Sequence, residues 1–312
     1  MPEIPVADKS YLAILLSTYN GSRYLRAQLD SLYCQVGVDI RILVRDDGSA
    51  DDTLTILQAE AGAGHLTIMS GGQNLGPAMS FLVLLRQAMG NGAQYAAFCD
   101  QDDVWRPEKM TRALDMLRGK EDHPAMICTR VELVDEMLRP IGFLPIPKRK
   151  IGLGNALVED IATGCTIVLN RKAIELVCAY WPDRPQMHDW WCYLVLSCMG
   201  EVIYDPWPSL LYRQHGNNVV GVARTPVTRF VKRFRRFLGK HKQPAWCTHH
   251  ARLLLDGYGN QMAAEHRILL QRFVCAKTDW KTRIGLAFSP ELWRQGWIDT
   301  WIMRILIVMN LL

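Results

Sequence analysis

The chain has 312 residues, of which 49% are hydrophobic, so it is long enough for one large α/β domain with an appended segment. Its nine cysteines form no C-x-x-C pair and no cluster with zinc-ligand spacing, which argues against a disulfide scaffold or structural zinc site and favours a reducing, cytoplasmic compartment. The net charge is +5, but residues 224–283 carry 14 Lys and Arg against 3 Asp and Glu, so positive charge is concentrated in this stretch.

Strands and helices alternate through the first part of the chain. A buried strand is predicted in "YLAILLSTYNG", and apolar residues recur at helical spacing in the following "SRYLRAQLDSLYCQ". The alternation continues with "DIRILVRDDGSADDT", where a helix should begin at Asp51 or Asp52, and with "HLTIMSGGQNLG" before "AMSFLVLLRQAMG". A fourth strand, "AQYAAFCD", precedes the helix "WRPEKMTRALDML". Short connections between such elements predict an α/β fold with a doubly wound, mostly parallel sheet.

The second part of the chain is less regular. Strands are predicted in "CTRVELVDEM" and "CTIVLN", and a helix in "RKAIELVCAYW". The stretch "KRKIGLGN" has two glycines and no apolar period, so it predicts a mobile loop. The change in charge balance predicts a domain boundary near Gly221.

Polar clusters follow each of the first four predicted strands. In a parallel α/β sheet, ligands bind beyond the carboxyl ends of the strands, so these clusters should converge on one rim. No G-x-G-x-x-G or Walker-type loop is present, which argues against a dinucleotide site and a P-loop. The clusters are Ser17–Asn20, Asp46–Ser49, Asn74–Gly76 and Asp100–Asp103.

The stretch "FCDQDDVW" contains a D-x-D pair directly after an apolar run. Asp100 can reach a ribose while Asp102 reaches a divalent cation, and carboxylate oxygens suit Mg²⁺ or Mn²⁺. The alternative is that Asp102 or Asp103 only caps the next helix, in which Pro107 suits the first turn. The two roles are compatible with each other.

The stretch "VRDDGSADDT" is open to two interpretations as well. It can be an ordinary Asp-Gly turn followed by a helix cap. Alternatively, Asp47 accepts a hydrogen bond from the N–H group of a pyrimidine base, and Tyr19 covers the face of that base. The second interpretation accounts for an aromatic residue at the end of a core strand.

Taken together, "STYNG", "RDDGSADDT", "NLGP" and "DQDDVW" resemble, in order and spacing, the inverting glycosyltransferases of family 2. The resemblance covers about residues 10–220. With "HDWW" and "YRQHGNNVVG", it narrows to bacterial rhamnosyltransferases of O-antigen and cell-wall polysaccharide assembly. It implies a Rossmann-like GT-A catalytic domain over residues 1–222, with a nucleotide-sugar half of about 1–110 and an acceptor half of about 111–222. A basic, helical, membrane-associating region would follow at 223–312.

The same resemblance implies roles for the residues of the rim. Asp100 would bind the ribose and Asp102 the metal, and His215 would complete the metal or diphosphate site. A lone histidine is also common as a satisfied surface or core residue, so that alternative stands for His215. The implied nucleotide-binding residues are Ser17, Tyr19, Asn20, Asp47, Asn74 and Asp100.

The stretch "QMHDWWCYLVL" supplies the predicted general base, Asp189, at the start of an apolar helix. Flanking aromatic rings could stack on a sugar; the alternative is a helix cap followed by two core tryptophans. By resemblance, "ATGCTIVLN" closes the pocket for donor and acceptor sugars, and an arginine of "LLYRQHGNN" serves the diphosphate. The predicted pocket residues are Thr163, Gly164, His188, Trp190, Trp191 and Arg213.

The carboxyl-terminal region has two amphipathic patterns. "VTRFVKRFRRFLGKHK" spaces apolar residues along one helical face and has six Lys and Arg between Lys232 and Lys242, which predicts binding to an anionic membrane surface. A solvated helix packed on the catalytic domain and a nucleic-acid patch are the alternatives, and no nucleic-acid partner is expected. Near the end, Trp293, Trp297, Trp301 and Ile305 lie four residues apart, which predicts an interfacial helix or a homodimer contact.

The predicted function is metal-dependent transfer of a sugar, with inversion, from a nucleotide-sugar donor to a growing, lipid-linked polysaccharide at the inner face of a bacterial membrane. The expected donor is dTDP-L-rhamnose, and a UDP-hexose is the alternative. No Q-x-x-R-W signature of processive synthases is present, which favours addition of one or few sugars. The competing hypotheses are a non-catalytic sugar- or nucleotide-binding module and a nucleotidyltransferase. The latter would need a Gly-rich basic loop after the first strand, which "STYNGSRYL" does not supply.

Overall fold

In this computed structural model, residues 11–69, 73–216 and 246–312 are described. The basic stretch from Val227 to Lys242, predicted to form an amphipathic helix, lies outside the described residues. The strands are β1 (Leu12–Thr18), β2 (Ile40–Asp46), β3 (Leu66–Ile68), β4 (Tyr95–Cys99), β5 (Val104–Trp105), β6 (Ala125–Val134), β7 (Pro140–Phe143), β8 (Val168–Asn170) and β9 (Glu201–Arg213).

Helices flank this sheet and make up the end of the chain. In the part before residue 217 they are α1 (Ser22–Tyr33), α2 (Thr53–Gly62), α3 (Gly76–Gly90), α4 (Lys109–Leu117), the single turn α5 (Leu153–Ala156), α6 (Arg171–Cys178) and α7 (His188–Met199). After residue 245 they are α8 (Trp246–Tyr258), α9 (Ala264–Cys275), α10 (Trp280–Ala287) and α11 (Trp297–Val308). A short 3₁₀ helix, Gly164–Thr166, precedes β8.

The strands form one sheet in the order β3-β2-β1-β4-β8-β6-β9-β5, with β7 paired to β6. Strands β1 to β4 pair in parallel, and β6 pairs in parallel with β9. Strand β8 is antiparallel to both β4 and β6, and β5 is antiparallel to β9. The predicted mostly parallel, doubly wound sheet is therefore confirmed, with β8 reversing the direction at its centre.

Strand β1 shows why the sheet forms where the apolar runs predict it. Its residues Leu12 to Leu16 are all buried, and their side chains alternate between two hydrophobic clusters, one on each face of the sheet. A central parallel strand covered by helices on both faces requires such a continuous apolar run. The carboxyl ends of β1, β2 and β4 consequently lie side by side, which brings the polar clusters together.

The stretch Lys148–Asn155 differs from the predicted mobile loop. It contains part of the single turn α5, and the backbone N–H groups of Lys148 and Arg149 donate to Oε1 of Gln295 at 2.9 and 2.8 Å. A Cβ atom on Gly154 would lie 1.8 Å from the carbonyl oxygen of Glu291. The glycine thus permits close packing against the carboxyl-terminal segment, and the loop is anchored.

The carboxyl-terminal helices pack on the same core as the sheet. Ala251, Leu254 and Tyr258 of α8 belong to the hydrophobic cluster that contains Trp191 of α7. The ring centroids of Trp191 and Tyr258 are 6.3 Å apart. Over the described residues, no helix has both the length and the apolar character needed to cross a bilayer.

Candidate active site

A glutamine clamp joins the carboxyl ends of β1 and β4. The backbone N–H of Tyr19 donates to Oε1 of Gln101 at 2.9 Å, and Nε2 of Gln101 donates to the carbonyl of Tyr19 at 3.0 Å. A Cβ atom on Gly21 would lie 2.0 Å from the same Oε1, so only glycine leaves room for the clamp. Gln101 was not among the predicted site residues, although it lies inside the D-x-D.

The turn after β2 is built around Asp46. Its carboxylate accepts hydrogen bonds from Oγ1 of Thr18 at 2.8 Å, from Ser49 N–H at 2.8 Å and from the Ser49 hydroxyl at 2.6 Å. Asn20 has a positive φ of 48°, and its Oδ1 accepts from the N–H of Ala50 at 2.8 Å. These bonds tie the end of β1 to the turn after β2, so this part of the rim is held by its own polar groups.

Asp47 is buried and holds the start of α3. It forms an ion pair with Arg45 and accepts from the N–H groups of Leu75 and Gly76, both at 2.8 Å. The aromatic residue predicted to cover a base, Tyr19, is 51% exposed on the rim. The part of Asp47 in binding a base N–H stays a prediction, since its oxygens already accept three hydrogen bonds in this structure.

Ser17 and Asn74, two further residues predicted to bind the nucleotide, also make local hydrogen bonds. The hydroxyls of Ser17 and Ser80 lie 2.7 Å apart, and Oδ1 of Asn74 accepts from the N–H of Gly76 at 3.1 Å. Both residues therefore lie on the predicted rim, between β1 and the beginning of α3.

Three carboxyl groups are crowded at the end of β4. Asp103 is fully buried; its Oδ1 accepts from the backbone N–H of Arg213 at 3.1 Å, and its Oδ2 has no partner among the described residues. Burial, together with Asp102 and Asp100, raises the pKa of Asp103 well above its ordinary value. Asp103 is not the helix cap that the sequence suggested, because Glu108 occupies the position before α4.

A buried lysine lies beside these carboxyl groups. Nζ of Lys109 donates to the carbonyl of Cys165 at 2.6 Å and lies 4.0 Å from the centre of the Trp105 ring. Burial lowers the pKa of Lys109 to about 8, while burial and the nearby charges of Asp102 and Asp189 raise that of Asp100 to about 7. Lys109 was not among the site residues predicted from the sequence, because a single lysine at the start of a helix belongs to no recognisable motif.

Asp102 and His215 lie together, as the resemblance implied. Nε2 of His215 is 2.8 Å from Oδ2 of Asp102, and the imidazole ring packs 4.9 Å from the ring of Tyr24. Arg213 contacts the same residues. Its Nε donates to the carbonyl of Asp102 at 2.8 Å, and its guanidinium lies 4.6 Å from the centre of the Tyr24 ring. The end of β9 thus places Arg213 beside the D-x-D, and His215 follows two residues later.

Two sets of side chains can be compared as ligands for a divalent cation. Asp100, Asp103 and Cys165 place one ligand atom each within 4.8 Å of one another. Burial raises the pKa of the Cys165 thiol well above its ordinary value, and a neutral, soft sulfur atom does not suit Mg²⁺ or Mn²⁺. Asp102 and His215 offer a carboxylate and an imidazole already in contact, which suits Mn²⁺ better.

Asp189 lies in the first turn of α7 and is half-buried. Its Oδ2 accepts from the N–H of Gly164 at 3.1 Å, and its Oδ1 accepts from the N–H of Trp190 at 2.7 Å. Burial raises the pKa of Asp189 to about 6, and these two hydrogen bonds act in the opposite direction. The residue before α7 is Met187, so Asp189 is not an N-cap.

His188 is buried between two phenylalanine rings. Its ring centroid lies 4.0 Å from that of Phe81 and 4.6 Å from that of Phe98, and burial lowers its pKa to about 3. A Cβ atom on Gly164 would lie 2.7 Å from Nε2 of His188. The imidazole of His188 is therefore uncharged at neutral pH and packs directly beneath the 3₁₀ turn. Only glycine at position 164 lets the turn approach the ring this closely.

The two tryptophans after Asp189 pack inward. Nε1 of Trp190 donates to the carbonyl of Ala156 at 2.7 Å, and Trp191 is fully buried against Tyr180 and Tyr258. Trp191 is therefore a core residue, which corrects the prediction that its ring faces a sugar. A continuous apolar helix buries its middle, and position 191 already belongs to that buried part.

Thr163 turns the chain toward Asp189. Its carbonyl accepts from both the N–H and the hydroxyl of Thr166, at 2.9 and 2.7 Å. This 3₁₀ turn directs the N–H of Gly164 at Asp189, and its next residue, Cys165, lies beside Asp100 and Asp103. The turn therefore links the D-x-D to the candidate base.

One member of the site has no sequence motif. Asp160, in the loop before the 3₁₀ turn, accepts from the N–H of Ala162 at 3.0 Å, and burial together with the charge of Asp189 raises its pKa well above the ordinary value. Asp160 and Asp189 are far apart in sequence, and only the packing of this loop on α7 brings them together. The one available signal is the position of Asp160 just ahead of the Thr163-Gly164 pair.

Comparison with known proteins agrees with this geometry. Residues 13–177 match the family model described as "Glycosyl transferase family 2". The chain is 28% identical over 232 residues to the "dTDP-rhamnosyl transferase RfbG" of Shigella flexneri, covering 66% of this chain and 73% of that protein. It is 34% identical over 113 residues to an uncharacterized glycosyltransferase of Nostoc sp., covering 35% of this chain and 34% of that protein.

Solved structures share the fold. The crystal structure of S. aureus TarS residues 1–349 with UDP superposes with a TM-score of 0.56 at 16% identity, covering 96% of this chain and 88% of that chain. The same protein with UDP-GlcNAc has a TM-score of 0.56 at 15% identity, covering 96% and 89%. At this identity the likeness concerns the fold.

Proposed function

The chain belongs to glycosyl transferase family 2, and we propose that it transfers one sugar, with inversion, from a nucleotide-sugar donor to a hydroxyl group of a glycan. The observation that carries this proposal is the 3₁₀ turn Gly164–Thr166: the N–H of Gly164 donates to Asp189, and the sulfur of Cys165 lies within 4.8 Å of carboxylate oxygens of Asp100 and Asp103. A base and a diphosphate-binding site on either side of one short turn suit a single in-line displacement.

In the proposed step, the acceptor oxygen forms a bond to the anomeric carbon while the bond from that carbon to the diphosphate oxygen breaks. Asp189 takes the proton of the acceptor hydroxyl, and the nucleoside diphosphate leaves with the electron pair. Burial raises the pKa of Asp189 to about 6. Its carboxyl group is therefore ionised at neutral pH and basic enough to accept a proton. The N–H groups of Gly164 and Trp190 hold the carboxylate in place.

Asp102 and His215 would hold a divalent cation, with Mn²⁺ or Mg²⁺ as the candidates. When bound, the cation neutralises charge on the leaving diphosphate. Arg213 would support the same group from behind the D-x-D, where it already donates to the Asp102 carbonyl. Asp103 and Lys109, both fully buried, set the electrostatic surroundings of this site.

The proposed donor is dTDP-L-rhamnose, and the likeness to the Shigella flexneri protein supports it. A UDP-hexose is the alternative donor, supported by the fold shared with a structure that contains UDP-GlcNAc. Transfer assays with a panel of dTDP- and UDP-sugars, each with Mg²⁺ or Mn²⁺, test the two. Turnover with UDP-sugars alone would reject rhamnose, and no turnover or donor hydrolysis with any sugar would favour a binding module.

The proposed acceptor is a lipid-linked glycan, and the proposed location is the cytoplasmic face of the cell membrane, bound peripherally. The exposed face of α11 supports this location, because Trp297, Trp301 and Ile305 lie on it. The neighbouring α10 exposes Trp280, and Phe288, the residue directly after this helix, is exposed as well. Tryptophans at a solvent-facing helix surface suit the headgroup region of a bilayer. A homodimer through the same face is the alternative.

A further inference from the structure

The 3₁₀ turn between the two parts of the candidate site is held from two sides. On one side, the N–H of Gly164 donates to Oδ2 of Asp189 at 3.1 Å. On the other, the carbonyl of Cys165 accepts from Nζ of Lys109 at 2.6 Å. Because Gly164 and Cys165 are consecutive residues, a shift of the turn at its contact with Lys109 would also move the N–H group that holds the candidate base.

The side chain of Lys109 is suited to hold the turn in one place. The residue is only 2% exposed, and its Nζ lies 4.0 Å from the centre of the Trp105 ring. A buried ammonium group is costly unless it has partners, and here a carbonyl oxygen and the face of an aromatic ring supply them. Because the ammonium group is favoured where both contacts are made, its position in the protein is well defined.

The backbone that carries Lys109 begins at the D-x-D and is anchored to β9. The carbonyl of Asp102 accepts from Nε of Arg213 at 2.8 Å, and Oδ1 of Asp103 accepts from the N–H of Arg213 at 3.1 Å. The following strand β5 pairs with β9. Lys109 is the first residue of α4, shortly after β5, so it has a fixed place relative to the candidate cation ligand Asp102.

We propose that Lys109 is a positioning residue that connects the D-x-D segment to the 3₁₀ turn and so sets the distance between Asp102 and Asp189. This rests on the proposed function, in which Asp102 acts at the leaving diphosphate and Asp189 at the acceptor hydroxyl. An in-line displacement needs both groups at a fixed separation, because a misplacement of about 1 Å can cost ~10²-fold in rate. In this role Lys109 takes part in no bond that forms or breaks.

The first test is hydrogen exchange, which needs no substrate. It compares the wild-type chain with Lys109→Met, which removes the ammonium group at a similar side-chain length, and with Ile174→Ala. Ile174 is a fully buried residue of α6, a helix that contains none of the candidate site residues. The Ile174→Ala variant therefore controls for a general loss of stability.

The amides to follow are those of Thr166 and Ile167, which donate to the carbonyls of Thr163 and Gly164 within the turn. Their exchange is compared with that of the central strand β1, which reports global unfolding. Relative to β1, exchange in the turn should be at least about tenfold faster in Lys109→Met, because the hydrogen bond from a charged donor is lost. In Ile174→Ala the ratio should stay near that of the wild type.

The second test separates kcat from KM. In Lys109→Met, kcat for transfer should fall by about 10- to 100-fold, because the base and the leaving group are no longer held in register. The donor KM and the affinity for the nucleoside diphosphate with Mn²⁺, measured by calorimetry, should stay near the wild-type values. Ile174→Ala should keep the wild-type kcat at a temperature at which it is folded.

Failure of this proposal can be distinguished from failure of the proposed function. If the wild-type protein transfers no sugar, the proposed function is wrong, whatever the exchange of the turn. Wild-type protection of the turn in folded Lys109→Met would overturn the role of Lys109. Faster exchange with an unchanged kcat, or equal effects in Ile174→Ala, would overturn it as well. If Lys109→Met does not fold, Lys109→Gln, whose terminal nitrogen is one atom closer to the backbone, is judged by the same outcomes.

Discussion

At the scale of single residues, the proposed chemistry depends on Asp189. Replacing it with asparagine removes the base and keeps the size of the side chain. Because a positioned carboxylate contributes ~10²–10⁴-fold to such a transfer, kcat should fall by about that factor. Nucleotide binding, measured by calorimetry with the nucleoside diphosphate, should be unchanged. Normal transfer by a folded Asp189→Asn protein would contradict the assignment.

The raised pKa of Asp189 also predicts a pH dependence. With a pKa of about 6, the carboxyl group is protonated below that pH, so kcat/KM should fall as the pH drops through about 6. The folded-state value lies above the ordinary carboxyl pKa of about 3.9, so ionisation costs stability as the pH rises between the two values. The stability of Asp189→Asn relative to wild type should therefore increase from about pH 4 to pH 6 in thermal unfolding. A flat difference would mean that Asp189 titrates normally.

Substitutions of Asp102 and His215 should change the dependence of activity on Mn²⁺, whereas substitution of Asp189 should not. Asp102→Asn or His215→Ala removes a candidate cation ligand, so the Mn²⁺ concentration needed for half-maximal activity should rise at least about tenfold. Asp189→Asn serves as the matched control in calorimetric titrations with Mn²⁺ and the nucleoside diphosphate, where its binding should remain normal. Unchanged Mn²⁺ dependence in both ligand variants would point to the other set, Asp100, Asp103 and Cys165.

At the scale of elements, the 3₁₀ turn at Gly164 has no room for a side chain. An added Cβ would meet Nε2 of His188 at 2.7 Å, and His188 cannot retreat because Phe81 and Phe98 enclose it. Gly164→Ala should lower the free energy of unfolding by about 1–3 kcal/mol and weaken transfer, as measured by chemical denaturation and assay. Gly62→Ala, at a helix end with open space around it, is the control and should be neutral or stabilising.

The loop before the 3₁₀ turn depends on the carboxyl-terminal segment. Gln295→Ala removes the acceptor for the N–H groups of Lys148 and Arg149, so backbone hydrogen exchange over residues 148–160 should become faster. Because this loop leads into Asp160 and Gly164, the acceptor KM should rise as well. The control is Gln87→Ala, which removes a side-chain amide that donates to Asn91 at 2.9 Å on the surface. Equal exchange in both variants would show that Gln295 does not hold the loop.

At the scale of the whole molecule, the exposed aromatic face of α11 predicts attachment to membranes. In vesicle flotation, the protein should bind anionic vesicles, and Trp297→Ser with Trp301→Ser should reduce binding even at high salt. Replacing Lys232, Arg233, Arg235 and Arg236 with alanine should remove only the salt-sensitive part, ~1 kcal/mol for each charge. Phe143→Ser, on the exposed face of β7, is the control.

Equal binding of the wild-type protein to neutral and anionic vesicles would reject the electrostatic contribution to membrane binding. Dimers that form with rising protein concentration and are lost in the double tryptophan variant would favour a dimer interface.

Much of the fold could be predicted because buried parallel strands need continuous apolar runs and end in polar turns, as in Leu12–Thr18 and Tyr95–Cys99. The meeting of Asp102 with His215 was also predicted, through the resemblance to a family. The sequence did not predict the anchoring of the loop at Lys148, because its hydrogen-bond acceptor, Gln295, lies in a distant segment. Nor did it separate Trp190 from Trp191, since burial within an apolar helix depends on which neighbours pack against it.

The sequence by itself determined the alternation of elements, the rim of polar residues and the family of the chain, because these depend on local spacing and on motifs of neighbouring residues. Only the tertiary structure decided the surroundings of the candidate catalytic groups and the direction in which their pKa values shift. Burial and tertiary packing bring the N–H of Gly164 to Asp189, place Lys109 beside Cys165 and, among the described residues, leave Oδ2 of Asp103 without a partner. The protonation of a carboxyl group depends on its distance from water and other charges, and no pattern of neighbours along the chain specifies that distance.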